Sequence, residues 1–180
     1  ITTQKAVLGP SRAATVFINK VQNSPVTYLS EGVENGLSIR QSVSNANISS
    51  CFGIGQLKNI SLSSETKTVI ICADNDGANL ATKKALQQTV AQFLSAGLEV
   101  KLALPMGSDP SAKYDYNQML IDKGAGSITT SISQAVNLKN IADLGGDKTP
   151  LHQSFSRLST QQFSKNIGPV TKMLDMERER

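Results

Sequence analysis

The sequence predicts an α/β fold: an open, mainly parallel four-stranded sheet flanked by helices, with a small C-terminal helical extension. Three observations carry this. The run Thr68-Val69-Ile70-Ile71-Cys72-Ala73 is almost wholly apolar and rich in β-branched residues, the composition of a parallel strand covered on both faces. The longest helical pattern follows at residues 78–96, with Leu80, Ala81, Ala85, Leu86, Thr89, Val90, Phe93 and Leu94 in one apolar stripe and Gly97 as its stop. A further strand at residues 98–104 ends at Pro105, and strand and helix patterns alternate from residue 13 to about 125, as they do where parallel strands are joined by crossover helices.

Each element has its own local reason. Ala14–Ile18 and Val26–Ser30 are short runs rich in strand formers. Val33, Leu37, Ile39 and Val43 recur at helical spacing, opened by Ser30 and closed by Ser/Asn-rich sequence. Ser50–Gly53 reads as a brief strand. Asn117–Lys123 and Ser131–Leu138 read as short helices, and residues 151–180 as a peripheral helix pair or a linker.

Composition narrows the function classes. With 180 residues the chain has room for one domain with a core. No run approaches the roughly 20 apolar residues of a membrane span. Two cysteines and one histidine exclude a disulfide scaffold and a four-ligand zinc site. Charged residues at 18% are too few for a solvated disordered tail. A net charge of +4 permits a nucleic-acid partner without demanding one. Cys51 and Cys72 sit in apolar runs and read as buried thiols. The chain opens on Ile1 with no charged-then-apolar signal segment, which reads as a mature fragment or excised domain with a cytoplasmic location.

Two acidic clusters stand at predicted strand ends: Leu29-Ser30-Glu31-Gly32, and Ala73-Asp74-Asn75-Asp76-Gly77. Ligands of open α/β sheets bind beyond the carboxyl ends of strands, where neighbouring connections diverge to opposite faces. Oxygen-rich pockets there suit hard cations such as Mg²⁺, which take one or two carboxylates and keep several waters. Asp74 and Asp76 are two residues apart, and Gly77 permits a turn that brings their side chains together. Each acid also has a helix-capping reading: Asp76 ahead of a helix at Ala78, and Glu31 in the first turn of the Val33 helix. Two such clusters at successive strand ends favour the metal.

The same residues resemble a known family. Glu31-Gly32-Val33-Glu34-Asn35-Gly36-Leu37-Ser38 resembles the "EG-x-E-x-ALS" motif of Toprim domains, particularly those of plasmid- and phage-type primases. Asp74-Asn75-Asp76 with Gly77 resembles their DxD motif. Residues 6–14 look like the "LG-x-x-KG-A" lead-in, Phe52-Gly53-Ile54-Gly55-Gln56-Leu57 like a mid-domain segment, and Leu104-Pro105 with Asp115-Tyr116-Asn117-Gln118-Met119-Leu120 like the terminal "P…DFND-x-L" block. Five blocks in order cover roughly residues 5–125. The sequence departs from the pattern at Ser11-Arg12 in place of Lys-Gly, at Gly36 in place of Ala, and at Gln118 in place of Asp. On this resemblance residues 1–19 form a lead-in segment, 20–125 the Toprim core and 126–180 a C-terminal helical extension or linker.

The resemblance implies phosphodiester chemistry dependent on Mg²⁺ or Mn²⁺. It makes Glu31 a general acid/base or metal ligand, and Asp74 and Asp76 metal ligands. The expected protein is the catalytic domain of a primase-like, mobile-element protein acting in DNA replication or conjugation. It would carry out nucleotidyl transfer on single-stranded DNA with nucleotides as substrates, beside relaxase, helicase or primase domains. The alternatives are a Toprim nuclease or topoisomerase-type cleavage domain, and a non-catalytic module that binds DNA or a partner.

Phosphates need positive charge. Lys5, Arg12, Lys83 and Lys113 are the candidate DNA- and nucleotide-binding residues, with Arg12 foremost and Arg40 and Lys84 as further basic positions. Lys83 and Lys84 also read as an ordinary solvated helix face. Asp115 either supports the site or caps the helix at Asn117, and Asp109 before Pro110 reads as turn chemistry. Tyr28 reads as core or sheet edge and Tyr116 as a packing residue, so no tyrosine nucleophile is assigned.

Overall fold

The computed structural model describes residues 14–76, 79–146 and 149–178. The β-branched runs become strands β1 (Val16–Asn19), β2 (Val26–Glu31), β3 (Asn47–Cys51), β4 (Thr68–Cys72), β5 (Glu99–Ala103) and β6 (Val136–Leu138). They form one sheet in the order β1-β3-β2-β4-β5-β6. The inner four strands, β3, β2, β4 and β5, run parallel. Antiparallel β1 and β6 close the two edges. The sheet is thus mixed and six-stranded, where four strands were expected. The helices are α1 (Val33–Ser42), α2 (Leu80–Ser95), α3 (Tyr116–Lys123), α4 (Ala125–Ser133) and α5 (Leu151–Arg178).

Period-two alternation sorts β4 between two cores. Val69 and Ile71 face one, with Leu86, Val90 and Phe93 of α2 and Leu151, Phe155 and Leu158 of α5. Ile70 and Cys72 face the other, with Ile39 of α1, Tyr116 and Met119 of α3, and Ile128 and Ile132 of α4. Both faces of the sheet are therefore covered, which explains the continuous apolar run. Both cysteines are free and buried. Burial pushes the Cys51 thiol up to about 12. Among the described residues no helix is long and apolar enough to cross a membrane.

Several local expectations change. The helix expected at Ser131–Leu138 is the end of α4 followed by β6. Val136-Asn137-Leu138 is too short for its own period to separate strand from helix, and antiparallel pairing with β5 decides it. The helix pair expected near the C-terminus is the single helix α5, which at 28 residues is longer than α2 at 16. Helix α2 begins at Leu80, and its cap is Asn79, whose side chain accepts from the Ala81 and Thr82 amides. Asp76 does not cap it.

Gly36 has a packing reason. A Cβ there would run into the Ser50 hydroxyl and lie 2.9 Å from Ile18 Cγ1. The Ser50 hydroxyl itself pairs with that of Ser30 at 2.6 Å. The close approach of α1 to β3 thus requires glycine where related motifs carry alanine. Gly36→Ala is expected to lower stability by about 1–2 kcal/mol, overpacking outweighing the gain of roughly 1 kcal/mol in helix propensity. Adding Ser50→Ala should recover part of the loss in urea melts. An undiminished midpoint for Gly36→Ala would refute the packing argument.

Candidate functional site

Strands β2 and β4 are neighbours, and their connections leave in opposite directions. From β2 the chain enters α1 on one face of the sheet; from β4 it enters α2 on the other. A crevice opens between such strands at their carboxyl ends. Glu31 is the last residue of β2, and Asp74 and Asp76 follow β4.

One residue makes the turn from β2 into α1. Gly32 sits at φ 82°, and its amide donates to the Cys51 carbonyl at 2.9 Å. A side chain at this φ is strained, so the pairing of Glu and Gly is backbone geometry: strand end, turn, helix start.

The segment after β4 is fixed by Asn75, which is fully buried. Its backbone bridges to Tyr114 in both directions at 2.9 and 3.0 Å, and its Nδ2 donates to the carbonyls of Pro110 (2.7 Å) and Ala112 (3.1 Å). This ties the 110–114 loop to the end of the sheet. Flanking it, the two aspartates reach different helices. Asp74 Oδ1 accepts from Asn35 Nδ2 of α1 at 2.8 Å, while Asp76 Oδ2 accepts from Thr82 Oγ1 of α2 at 2.9 Å. Their partners thus lie on helices of opposite faces of the sheet; Gly77, assigned the turn that brings the two together, lies outside the described residues, as does Ala78.

Four acids share this end of the sheet. Burial, then the charges of Glu31, Asp115 and Asp76, push the Asp74 carboxyl up to about 8. Asp115 also caps α3, accepting from the Gln118 amide at 2.7 Å, so it is both a helix cap and part of the field at Asp74. Lys113, 77% exposed, lies 3.9 Å from Asp76.

Asn35 went unrecognised in the sequence reading. It is 6% exposed. Its Oδ1 accepts from the Asn117 amide at 2.9 Å, and its Nδ2 donates to the Glu31 carbonyl at 3.0 Å as well as to Asp74. A backbone N–H can only donate, so Oδ1 must face Asn117, and the amide must turn its hydrogens to Asp74 and Glu31. One side chain thereby joins the ends of β2 and β4 to the start of α3. Its i, i+4 spacing from Glu31 is the signal in the sequence. Asn117, in the terminal block, is held at its side chain by Ser38 Oγ at 3.3 Å.

Of the described basic candidates, Lys113 is placed beside the acids. Lys5 and Arg12 lie outside the described residues. Lys84 is exposed on α2 and Arg40 on the outer side of α1. Lys83 is not a solvated helix residue: it is 4% exposed, and its Nζ donates to the carbonyls of Gly146 and Thr149, each at 2.6 Å. Its charge is consumed in fastening the segment before α5 to α2. Tyr116 is fully buried, as a packing residue should be. Asp109 accepts from the Ser111 amide at 2.8 Å and so closes a turn.

Among the described residues no three His, Cys, Asp or Glu side chains stand close enough to form a ready-made metal cage. The donors nevertheless fit a hydrated hard cation. Mg²⁺ needs only one or two carboxylates with water completing its shell, and a carboxyl raised by burial and then by three neighbouring acids marks a site short of positive charge.

The family model for the Toprim domain matches residues 26–126. The crystal structure of the Aquifex aeolicus primase (zinc-binding and RNA polymerase domains) is similar at a TM-score of 0.48 and 24% identity, over 63% of this chain. This chain spans 27% of that protein's length. No curated protein matches.

Proposed function

Because the chain belongs to the Toprim domain family, whose model covers more than half of it, we propose that it is the catalytic domain of a primase-type, DNA-processing protein of the plasmid and phage kind. Its reaction is nucleotidyl transfer on single-stranded DNA. The observation that carries this reading is the gathering of Glu31, Asp74, Asp76 and Asp115 at one crevice, where burial first and then the three neighbouring charges raise Asp74 to about 8.

Asp74 and Asp76 would hold Mg²⁺ or Mn²⁺, with Glu31 as the third acid. Bound there, the cation neutralises phosphate charge and lowers the barrier to displacement at phosphorus. The chain's own groups do the rest. Asn35 holds Asp74 Oδ1 and fixes the Glu31 backbone. Asn75 holds the 110–114 loop, and with it Lys113, whose exposed ammonium is placed to meet an incoming phosphate. Glu31, at the strand end, is the candidate to accept a proton from the attacking hydroxyl. Single-stranded DNA, nucleotides and neighbouring relaxase, helicase or primase domains are the proposed partners. Residues 1–19 would be a lead-in to the 20–125 core, with 126–180 as an extension.

The test is metal-dependent primer synthesis by the full-length protein. Asp74→Asn combined with Asp76→Asn should lower it about a thousandfold, the loss of several kcal/mol of transition-state stabilisation. Undiminished synthesis would overturn the assignment, and metal-dependent nicking without incorporation would move it to a nuclease. A readout independent of activity is Mn²⁺ broadening of the Asn35 side-chain NMR signals, expected in the wild type and lost in the double variant.

A further inference from the structure

A groove of about 530 Å³ opens at the other end of the sheet from the acids. Its floor is Thr27 at the start of β2, with Asn47 and Ser49 at the start of β3. Thr27 and Asn47 are paired in the ladder, and Ser49 follows two residues on, so the three share a face. On that same face β4 and β5 present Val69, Ile71, Val100 and Leu102 to the helix layer. The floor of the groove is instead small and polar, and its walls are the 61–63 loop and the 20–23 turn.

Four features give the groove a chemistry. Phe17 lines it, pairs across the ladder with Ser49, and is 47% exposed. Lys20 Nζ stands 4.0 Å from the centre of the Phe17 ring, which places a cation beside an accessible aromatic face. Among the described residues no carboxylate lines the groove. Ser49 lines it as well and is 3% exposed, which sets a hydroxyl-bearing side chain at the bottom of the groove. The rim is also built in place: Asn47 Oδ1 accepts from the Val21 amide at 2.6 Å, and Asn23 completes the turn at φ 58°.

We propose that this groove binds an unpaired nucleotide, its base against Phe17, its polar edge toward Ser49, and its phosphate at Lys20. An aromatic face recognises any unstacked base, and a cation without competing carboxylates selects for phosphate. The nucleotide belongs either to a single strand or to a free nucleoside phosphate. The groove is distinct from the acidic crevice: Glu31 lies four residue steps along β2 from Thr27, about 13 Å at strand rise.

The experiment is fluorescence anisotropy of the chain with labelled oligothymidylate in metal-free buffer. Phe17→Ala should weaken binding about tenfold or more, while Phe17→Tyr retains it. Lys20→Gln should reduce the salt slope by about one. An oligomer with abasic sites should bind as weakly to the wild type as the normal oligomer binds to Phe17→Ala. Displacement by thymidine monophosphate assigns the groove to free nucleotides, and binding without such displacement assigns it to a strand. Both side chains are exposed enough that the variants should fold, with circular dichroism as the check. Binding that is equal for Phe17→Ala and wild type, or equal for abasic and normal oligomers, overturns the proposal. Groove binding is read in metal-free buffer on the Phe17 and Lys20 variants, and the catalytic assignment on metal-dependent synthesis by the Asp74→Asn, Asp76→Asn variant, so the two failures are separable.

Discussion

Asp74→Asn is expected to stabilise the metal-free protein, most strongly above pH 8. The folded chain keeps a proton on Asp74 up to about 8, whereas the unfolded chain releases it near 4. Between those values the folded state binds more protons, so wild-type stability falls as pH rises through the window. The penalty is absent below about pH 4 and complete above about 8. Asparagine keeps the shape and the contact with Asn35 but never ionises. Full conversion at 1.36 kcal/mol per unit overstates the effect because the side chain is part exposed, so a gain of roughly 2–4 kcal/mol is the reasonable scale. Thermal melts from pH 5 to pH 9 check this: the two midpoints should approach at pH 5 and separate toward pH 9. Added Mg²⁺ should raise the wild-type midpoint at pH 8, by selective binding to the folded state, and should raise that of the variant much less. Parallel midpoints at every pH would remove the electrostatic account of the site.

Lys83→Met is expected to destabilise the fold by about 2 kcal/mol while leaving the acidic crevice intact. The ammonium makes two short, charge-assisted bonds to the Gly146 and Thr149 carbonyls. Methionine fills a similar volume but donates nothing. Gly146 O keeps the Thr149 amide, at 2.9 Å, so the principal loss is the donor to Thr149 O, a desolvated acceptor without its bond. Urea unfolding gives the loss, and hydrogen exchange places it: protection should fall at the start of α5 and stay unchanged in β2 and β4. Were Lys83 a phosphate contact instead, Lys83→Met would weaken DNA binding with stability unaltered.

The elements legible in the sequence are those whose residues are determined by their immediate neighbours in space. β4 is apolar throughout because both faces are covered, and composition reports that directly. Glu31-Gly32 reads as a strand end and turn because only glycine suits φ 82°. The two edge strands were less legible. β1 was read as a strand but assigned to the lead-in, and β6 was read as helix, since neither carries enough residues to display a period. Lys83 was misread for a related reason: its helical position is polar, and its burial arises from a segment more than sixty residues away.

The sequence by itself determined the order of strands and helices from β1 to α3, the two acidic strand ends and the family motifs, because these depend on spacing along the chain. Only the tertiary structure decided which acids feel one another, that Asp74 and Asp76 reach separate helices, that Asn35 ties three elements together, and that Phe17 and Lys20 rim a polar groove. Each of these depends on contacts between residues far apart in sequence. Their distances are set by sheet order and by the side of the sheet on which each helix packs, and no local pattern encodes either.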